Sequence, residues 1–415
     1  MNKRIFLIIA LAIILTLLGI WAYILIYGTP EVVEDRFARF SNEQDDQVVP
    51  TANGSDVDAP DHTDSDITDG EDIDTLTDIA TPNLPQQITT EPVAGYQFVS
   101  SNTTEDVATT THNSLYVYYA ELGTGHIYQY DLSNNQRDRL SNHTIQQTRE
   151  AFITPDGTYA VLIRGYTENQ QMTIIDLETN AEDKILLQEM KDVENISMTG
   201  TGDLLYTRRT NTGSVGYRYT IDTNTEQELF FVPLRNIIVA WAPEAGGGHY
   251  IYQAPSTQLL STVYRVTGDS MTRTSITGYD MSLINSGSAV AYSYQATSNE
   301  PQSRVSEFQA AATTTPLGII IRKDKCDFVF TNEIICGSEL ENPHTQEDWL
   351  RGSVKSSDSL WYIGTVDGIS LLLTSPEGEV GRQVDLQNIK TDEDTGVILF
   401  QNRRDGTLWS YHLEY

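Results

Sequence analysis

Carboxylates are the reactive groups this 415-residue chain has in greatest supply: 58 Asp and Glu stand against 26 Lys and Arg, for a net charge of −32. A general acid and base need two carboxyls facing one cleft, and Glu341 with Glu347, or Asp392 with Asp394, have the right type. In so acidic a chain such neighbours follow from composition, and they do not by themselves point to catalysis. The stretch GTGHIYQYDL (123–132) has glycines that would let a phosphate approach the backbone, but a phosphate loop requires a helix after it. GHIYQYDL instead aligns with GTLWSYHL (406–413), so the glycines mark entry to a strand. DSDITDGED (64–72) sets Thr68 and Asp69 where a calcium loop needs Asp and Gly. No G-x-S-x-G, H-E-x-x-H or C-x-x-C occurs, so no catalytic residue, metal or cofactor is expected.

Two pairs carry more information. If a hairpin turns at 330–332, Val329 faces Glu333, and the same register sets Cys326 opposite Cys336. Directly opposed residues lie about 4.5–5.5 Å apart at Cα, within disulfide reach. Trp349 and Arg351 share the segment 339–358, and both are residue types enriched at binding hot spots. Trp349 has a second reading as a plug buried by its own loop.

The elements that must position these residues are strands. Beyond residue 95, short runs of Val, Ile, Tyr, Phe and Thr alternate with Gly, Asn, Asp and Pro. Candidate first strands begin near Asp106, Arg149, Asp192, Asn236, Tyr279, Lys325 and Val384. That spacing of about 40–45 residues, with four strands per unit, is a propeller signature. The expected fold is all-β, a seven-bladed β-propeller over 96–415. The seventh unit lacks a fourth strand, which GYQFVSS (95–101) is expected to supply, removing an exposed sheet edge. The sixth unit is longest, its excess being 339–358 between second and third strands. Long loops in compact folds tend to be functional.

AFITPDGTYAVLIR (151–164) resembles the blade hairpin of TolB-type and prolyl-oligopeptidase-type propellers, a WD-repeat-like group with an S-P-D-G turn between apolar strands. GTGHIYQYDL…RLSNHTI and KCDFVF…IICGSE…DWLRGSVKSSDSLWYI are similar to membrane-anchored propeller-like proteins of small-genome bacteria. The resemblance implies fold and topology and brings no catalytic residue. RRDGTLW (403–409) copies only the D-x-x-x-W part of a sialidase-type turn and reads as a hairpin with a packed Trp.

The N-terminal part sets location. Residues 5–27 are 23 in number and uncharged, about 34 Å as a helix and enough to cross a bilayer core. No small-residue cleavage site follows, so an uncleaved signal anchor is expected. Lys3 and Arg4 precede the span while Glu31, Glu34 and Asp35 follow it, which leaves 1–4 in the cytoplasm and exports the rest. Residues 28–95 hold 17 acidic side chains against Arg36 and Arg39, the composition of a disordered linker. Acidity on both sides of residue 95 excludes nucleic acid as a partner. The expected function is a non-enzymatic module on the cell membrane that binds a protein or glycan. The alternatives are a hydrolase or lyase acting on envelope polysaccharide, and an envelope assembly factor.

Overall fold

The computed structural model describes residues 83–415 except 102–113, 166–169, 179–185, 191, 244–247, 297–299, 308–313, 330–331, 341–342 and 414–415. The expected anchor at 5–27, and the linker as far as residue 82, lie outside the described residues. Among those described, no helix is long and apolar enough to cross a membrane.

The chain builds antiparallel sheets almost wholly from sequence neighbours. After the short β1 (Gln86–Gln87), β2 (Val93–Ser101), β3 (Ser114–Glu121), β4 (Ile127–Asp131) and β5 (Gln136–Arg139) form one sheet. The next holds β6 (Thr148–Ile153), β7 (Tyr159–Arg164), β8 (Gln170–Asp176) and β9 (Leu186–Met190). A third holds β10 (Val193–Met198), β11 (Leu204–Arg209), β12 (Ser214–Thr220) and β13 (Thr225–Val232). A seven-stranded sheet follows: β14 (Ile237–Ala240), β15 (His249–Gln253), β16 (Ser261–Thr267), β17 (Ser270–Asn285), β18 (Ala289–Gln295), β19 (Pro301–Glu307) and β20 (Thr314–Leu317). It arises because the 16-residue β17 pairs with β16 through its first part and with β18 through its second. Next come β21 (Cys326–Val329), β22 (Glu333–Ser338), β23 (Ser359–Gly364) and β24 (Ser370–Thr374). The last sheet joins β25 (Leu386–Asp392), β26 (Val397–Asn402) and β27 (Leu408–His412) to β1, with Gln86 opposite Ser410 and Gln87 opposite Trp409.

Composition grades across each sheet. The second strand β26, VILFQN, is buried at every position, and its stretch VILF is apolar without alternation because both faces are covered. The fourth strand β5, QRDR, is polar and exposed at every position, which discourages edge-to-edge pairing, whereas the fourth strand β24 exposes Leu371 and Leu372. Apolar clusters then join each sheet to the next. Ala120 and Ile127 pack with Ile153 and Leu162, and Val93, Tyr96 and Val117 pack with Val397, Leu399 and Leu408 from the far end of the chain. The circuit of packing therefore closes on itself.

Two sequence expectations need correction. GYQFVSS does not complete the last sheet. It belongs to β2 and pairs with β3, Tyr96 facing Tyr119, while Gln86–Gln87 takes the place beside β27. The first unit accordingly starts at Val93, not near Asp106, and 83–95 belong to the fold rather than to the linker. A constant period extrapolated backwards misses the extra length at 102–113 between β2 and β3. The first strands β6, β10, β14, β21 and β25 start within about two residues of their expected positions, and β17, which starts at Ser270, begins its pairing with β18 at the expected Tyr279.

Three first strands carry a bulge with a left-handed residue: Asn195 in β10, Asp280 in β17 and Asn388 in β25, with φ of 52°, 46° and 55°. Asn and Asp tolerate this region because a short polar side chain can bond locally. Each bulge reaches another sheet or loop. Asn195 donates to the Ile237 carbonyl at 2.9 Å and accepts from Val239 N at 3.2 Å. Asn388 donates its backbone N–H to the Asp324 carbonyl at 2.7 Å and accepts from the Tyr96 hydroxyl.

Candidate functional site

The insertion 339–358 is built around one helical turn, α1 (Gln346–Leu350). Thr345 caps it by accepting from Asp348 N at 3.1 Å. The next free N–H groups, of Gln346 and Glu347, donate to the two Asp280 carboxyl oxygens at 2.6 and 2.8 Å. The bulge in β17 thus aims a carboxylate at a helix start, where negative charge is favoured. Burial raises the Asp280 carboxyl, opposed by these two N–H groups and by Arg322. Arg322 donates in turn to the His344 carbonyl. Glu347 accepts from Thr257 N and Oγ1, both at 2.8 Å, and pairs with Arg351 at 2.6 Å. The Thr257 bonds come first among the influences that lower its pKa.

Trp349 is 2% exposed. Its Nε1 donates to Asp385 Oδ1 at 2.8 Å, the Arg403 guanidinium lies 4.0 Å from its ring centroid, and Lys325 Nζ lies 4.9 Å away. It has no free face for a partner, so its place as an interface anchor is withdrawn and the plug is what the structure contains. Arg351 points the other way, with 68% of its side chain exposed. Beneath the indole, Lys325, Ser356, Asp358 and Asp385 form a cluster shut off from solvent.

The other sequence candidates resolve into architecture. Cys326 and Cys336 form a disulfide with Cα atoms 4.1 Å apart, in the register that also sets Val329 opposite Glu333. Asp392 closes its own turn by accepting from Thr395 N at 2.9 Å. In RRDGTLW, Asp405 accepts from Thr407 N at 3.0 Å and Trp409 is buried, its Nε1 on Thr407 Oγ1 at 2.8 Å. Gly125, with φ of 66°, leads into β4. Glu341 lies outside the described residues.

Sequence reasoning missed a cavity of about 520 Å³ lined by Asn285, Ser286, Ser288, Asp327, Phe328 and Glu393. Asp327 lines this hollow with an exposed side chain; the protein around it raises its carboxyl, against the pull of Lys390. Burial brings Lys390 down to about 8, and its Nζ donates to Gln97 Oε1. The signal was a lone acid inside the apolar run CDFV, too common to single out. Among the described residues no group of three or more His, Cys, Asp or Glu is placed to hold a metal.

No protein-family profile and no curated protein matches the chain. Solved structures do. An oligogalacturonate lyase in complex with manganese is 13% identical with a TM-score of 0.51, over 82% of this chain and 96% of that one. The chain folds as a β-propeller. The propeller domain of the trilobed protease from Pyrococcus furiosus is 10% identical with a TM-score of 0.47, over 78% of this chain and 93% of that one. Tricorn protease is 8% identical with a TM-score of 0.48, over 82% of this chain and 35% of that one. At such identities the likeness speaks for the fold alone.

Proposed function

We propose that the protein is a membrane-anchored, extracytoplasmic platform of TolB-type, with seven blades, that binds a protein partner without catalysing a reaction. Seven blades result when β17 is counted as the last strand of one unit and the first of the next. The uncharged span 5–27 is its anchor, holding it in the bilayer with 28–82 as an acidic stalk, and the disulfide suits an oxidising compartment.

One observation carries the binding role. The insertion is pinned by hydrogen bonds to Asp280, Thr257 and Asp385, yet it leaves Leu340, Leu350 and Arg351 exposed. Leu350 lies one helical turn from Glu347, and Leu259 and Leu260, 70% and 55% exposed, follow the Thr257 that Glu347 holds. Apolar groups on a pre-ordered support bind with little ordering cost, and exposed Leu side chains together with an Arg have the composition of a protein contact. A pulldown with the exported domain, compared with Leu350→Ser/Arg351→Glu, tests it. The reading holds if the variant loses a partner that the parent retains at equal melting temperature, and fails if both retain the same partners.

A polysaccharide hydrolase or lyase is the second reading, favoured by Asp327, a carboxyl with a raised pKa that lines an open cavity beside Glu393 and Phe328. Turnover of a glycan that Asp327→Asn abolishes would replace the platform reading.

A further inference from the structure

We propose that Lys325 and Asp358 are joined by an amide bond between Lys325 Nζ and Asp358 Cγ, formed by the chain itself with Asp385 as the proton carrier. The three side chains are wholly shut from solvent, and each sits immediately before a strand, Lys325 before β21, Asp358 before β23 and Asp385 before β25. Lys325 Nζ touches Asp358 Oδ2 and lies 2.7 Å from Asp385 Oδ1. Rigid strand starts thus hold an amine against a carboxyl, which replaces an improbable encounter with a fixed one.

The two oxygens of Asp358 differ. Oδ2 accepts from Leu386 N at 2.8 Å, so a backbone donor is already placed where negative charge would develop on a carbonyl oxygen under attack, while the Ser356 hydroxyl is nearer to Asp385 Oδ1, at 2.7 Å. Oδ1 is buried and without a hydrogen-bond partner, as suits a hydroxyl that departs. The indole of Trp349 covers the group and keeps bulk water from reversing the reaction.

One lysine between two carboxylates would leave a buried net charge, and a proton on one acid removes it. Burial raises the Asp358 carboxyl, so that acid takes the proton. Burial would raise Asp385 too, but Lys325, the Trp349 N–H and Ser356 outweigh it and keep that carboxyl low. From this state the lysine ammonium passes one proton to the Asp385 carboxylate. The freed amine attacks Asp358 Cγ, the C–Oδ1 bond breaks, and the second amine proton leaves with that hydroxyl as water. The products are an amide, one water and a neutral Asp385, with charge zero before and after. No oxidant or cofactor enters.

Mass spectrometry of the purified full-length protein under denaturing conditions is the test. The expected mass is one water below that of the chain with its disulfide. A tryptic digest should yield a branched peptide joining positions 325 and 358, with no cleavage after Lys325. Asp385→Asn, with no carboxylate to take the proton, should regain the full mass while its tryptophan emission stays that of a folded protein. A parent protein at full mass, cleaved after Lys325, overturns the proposal whatever the variant does. A branch to Asp385 overturns the choice of acid, and loss of water in Asp385→Asn overturns its role.

Discussion

Two connections leave second-unit and sixth-unit strands in different ways. The 154–159 hairpin between β6 and β7 is satisfied within itself: Thr154 N donates to the Tyr159 carbonyl at 2.9 Å, Gly157 N to the Thr154 carbonyl at 2.8 Å, and Asp156 accepts from Thr158 N at 3.0 Å. Gly157 sits at φ 75°, where a Cβ would strike Val99 at 2.8 Å. The 339–358 insertion between β22 and β23 finds its partners far off in sequence, at Thr257, Asp280, Asp385 and Arg403. A local turn declares its chemistry in six letters. The insertion has a local cap of its own at Thr345, but what fixes it to the fold lies outside its own letters.

The largest expected effect separates the two at Trp349. Trp349→Ala removes a buried indole and its hydrogen bond to Asp385, and should cost about 3–5 kcal/mol in urea unfolding. A change below about 1 kcal/mol would mean that the insertion floats free of the fold, as an ordinary surface loop would.

Acid should sharpen the contrast between buried and surface chemistry elsewhere. His249 is 3% exposed, accepts from Ala242 N at 3.1 Å and packs edge-on against Trp241; burial brings its pKa from 6.5 to about 4. Between those values the unfolded chain binds more protons than the folded one, so this stability is present above about 6.5 and lost as pH falls toward 4. The loss should approach about 3 kcal/mol at pH 4. A His249→Phe protein that shows the same slope over that window would assign it to the carboxylates instead.

How much was legible follows from the same distinction. Strand identity and period could be read because VILFQN or YAVLIR is apolar for reasons internal to each strand. The disulfide could be read because its register depends on one short hairpin. The closing strand could not, since Gln86–Gln87 is two polar residues whose only strand signal is the partner that β27 offers. Trp349 could be read as an interface residue or as a plug, because its residue type and its long loop suit both. Its neighbours in space are distant in sequence: Lys325 stands before the first strand of its own unit, and Asp385 and Arg403 come from the next. Asp280 was overlooked for that reason too: a left-handed Asp becomes a helix anchor only when a helix lies 66 residues away.

Closure gives a smaller effect. A chain beginning at Val93 lacks β1 and leaves β27 with an open edge, whereas one beginning at Asn83 keeps the pairing. The shorter protein should melt a few degrees lower and aggregate more readily. Identical melting would show that the two-residue pairing contributes nothing. The smallest change belongs to Arg351→Glu, whose side chain is 68% exposed. Its effect on unfolding should stay within about 0.5 kcal/mol, and any loss of partner binding then belongs to the surface and not to the fold.

That the insertion is a fixed part of the propeller is tested most directly by amide hydrogen exchange under native conditions. The amides of Gln346, Glu347 and Trp349, bonded to Asp280 and to the Thr345 carbonyl, should exchange as slowly as those of β23. Exchange as fast as that of the exposed turn at 366–369 would contradict the account, because a segment that opens so freely cannot be the pre-ordered platform described above.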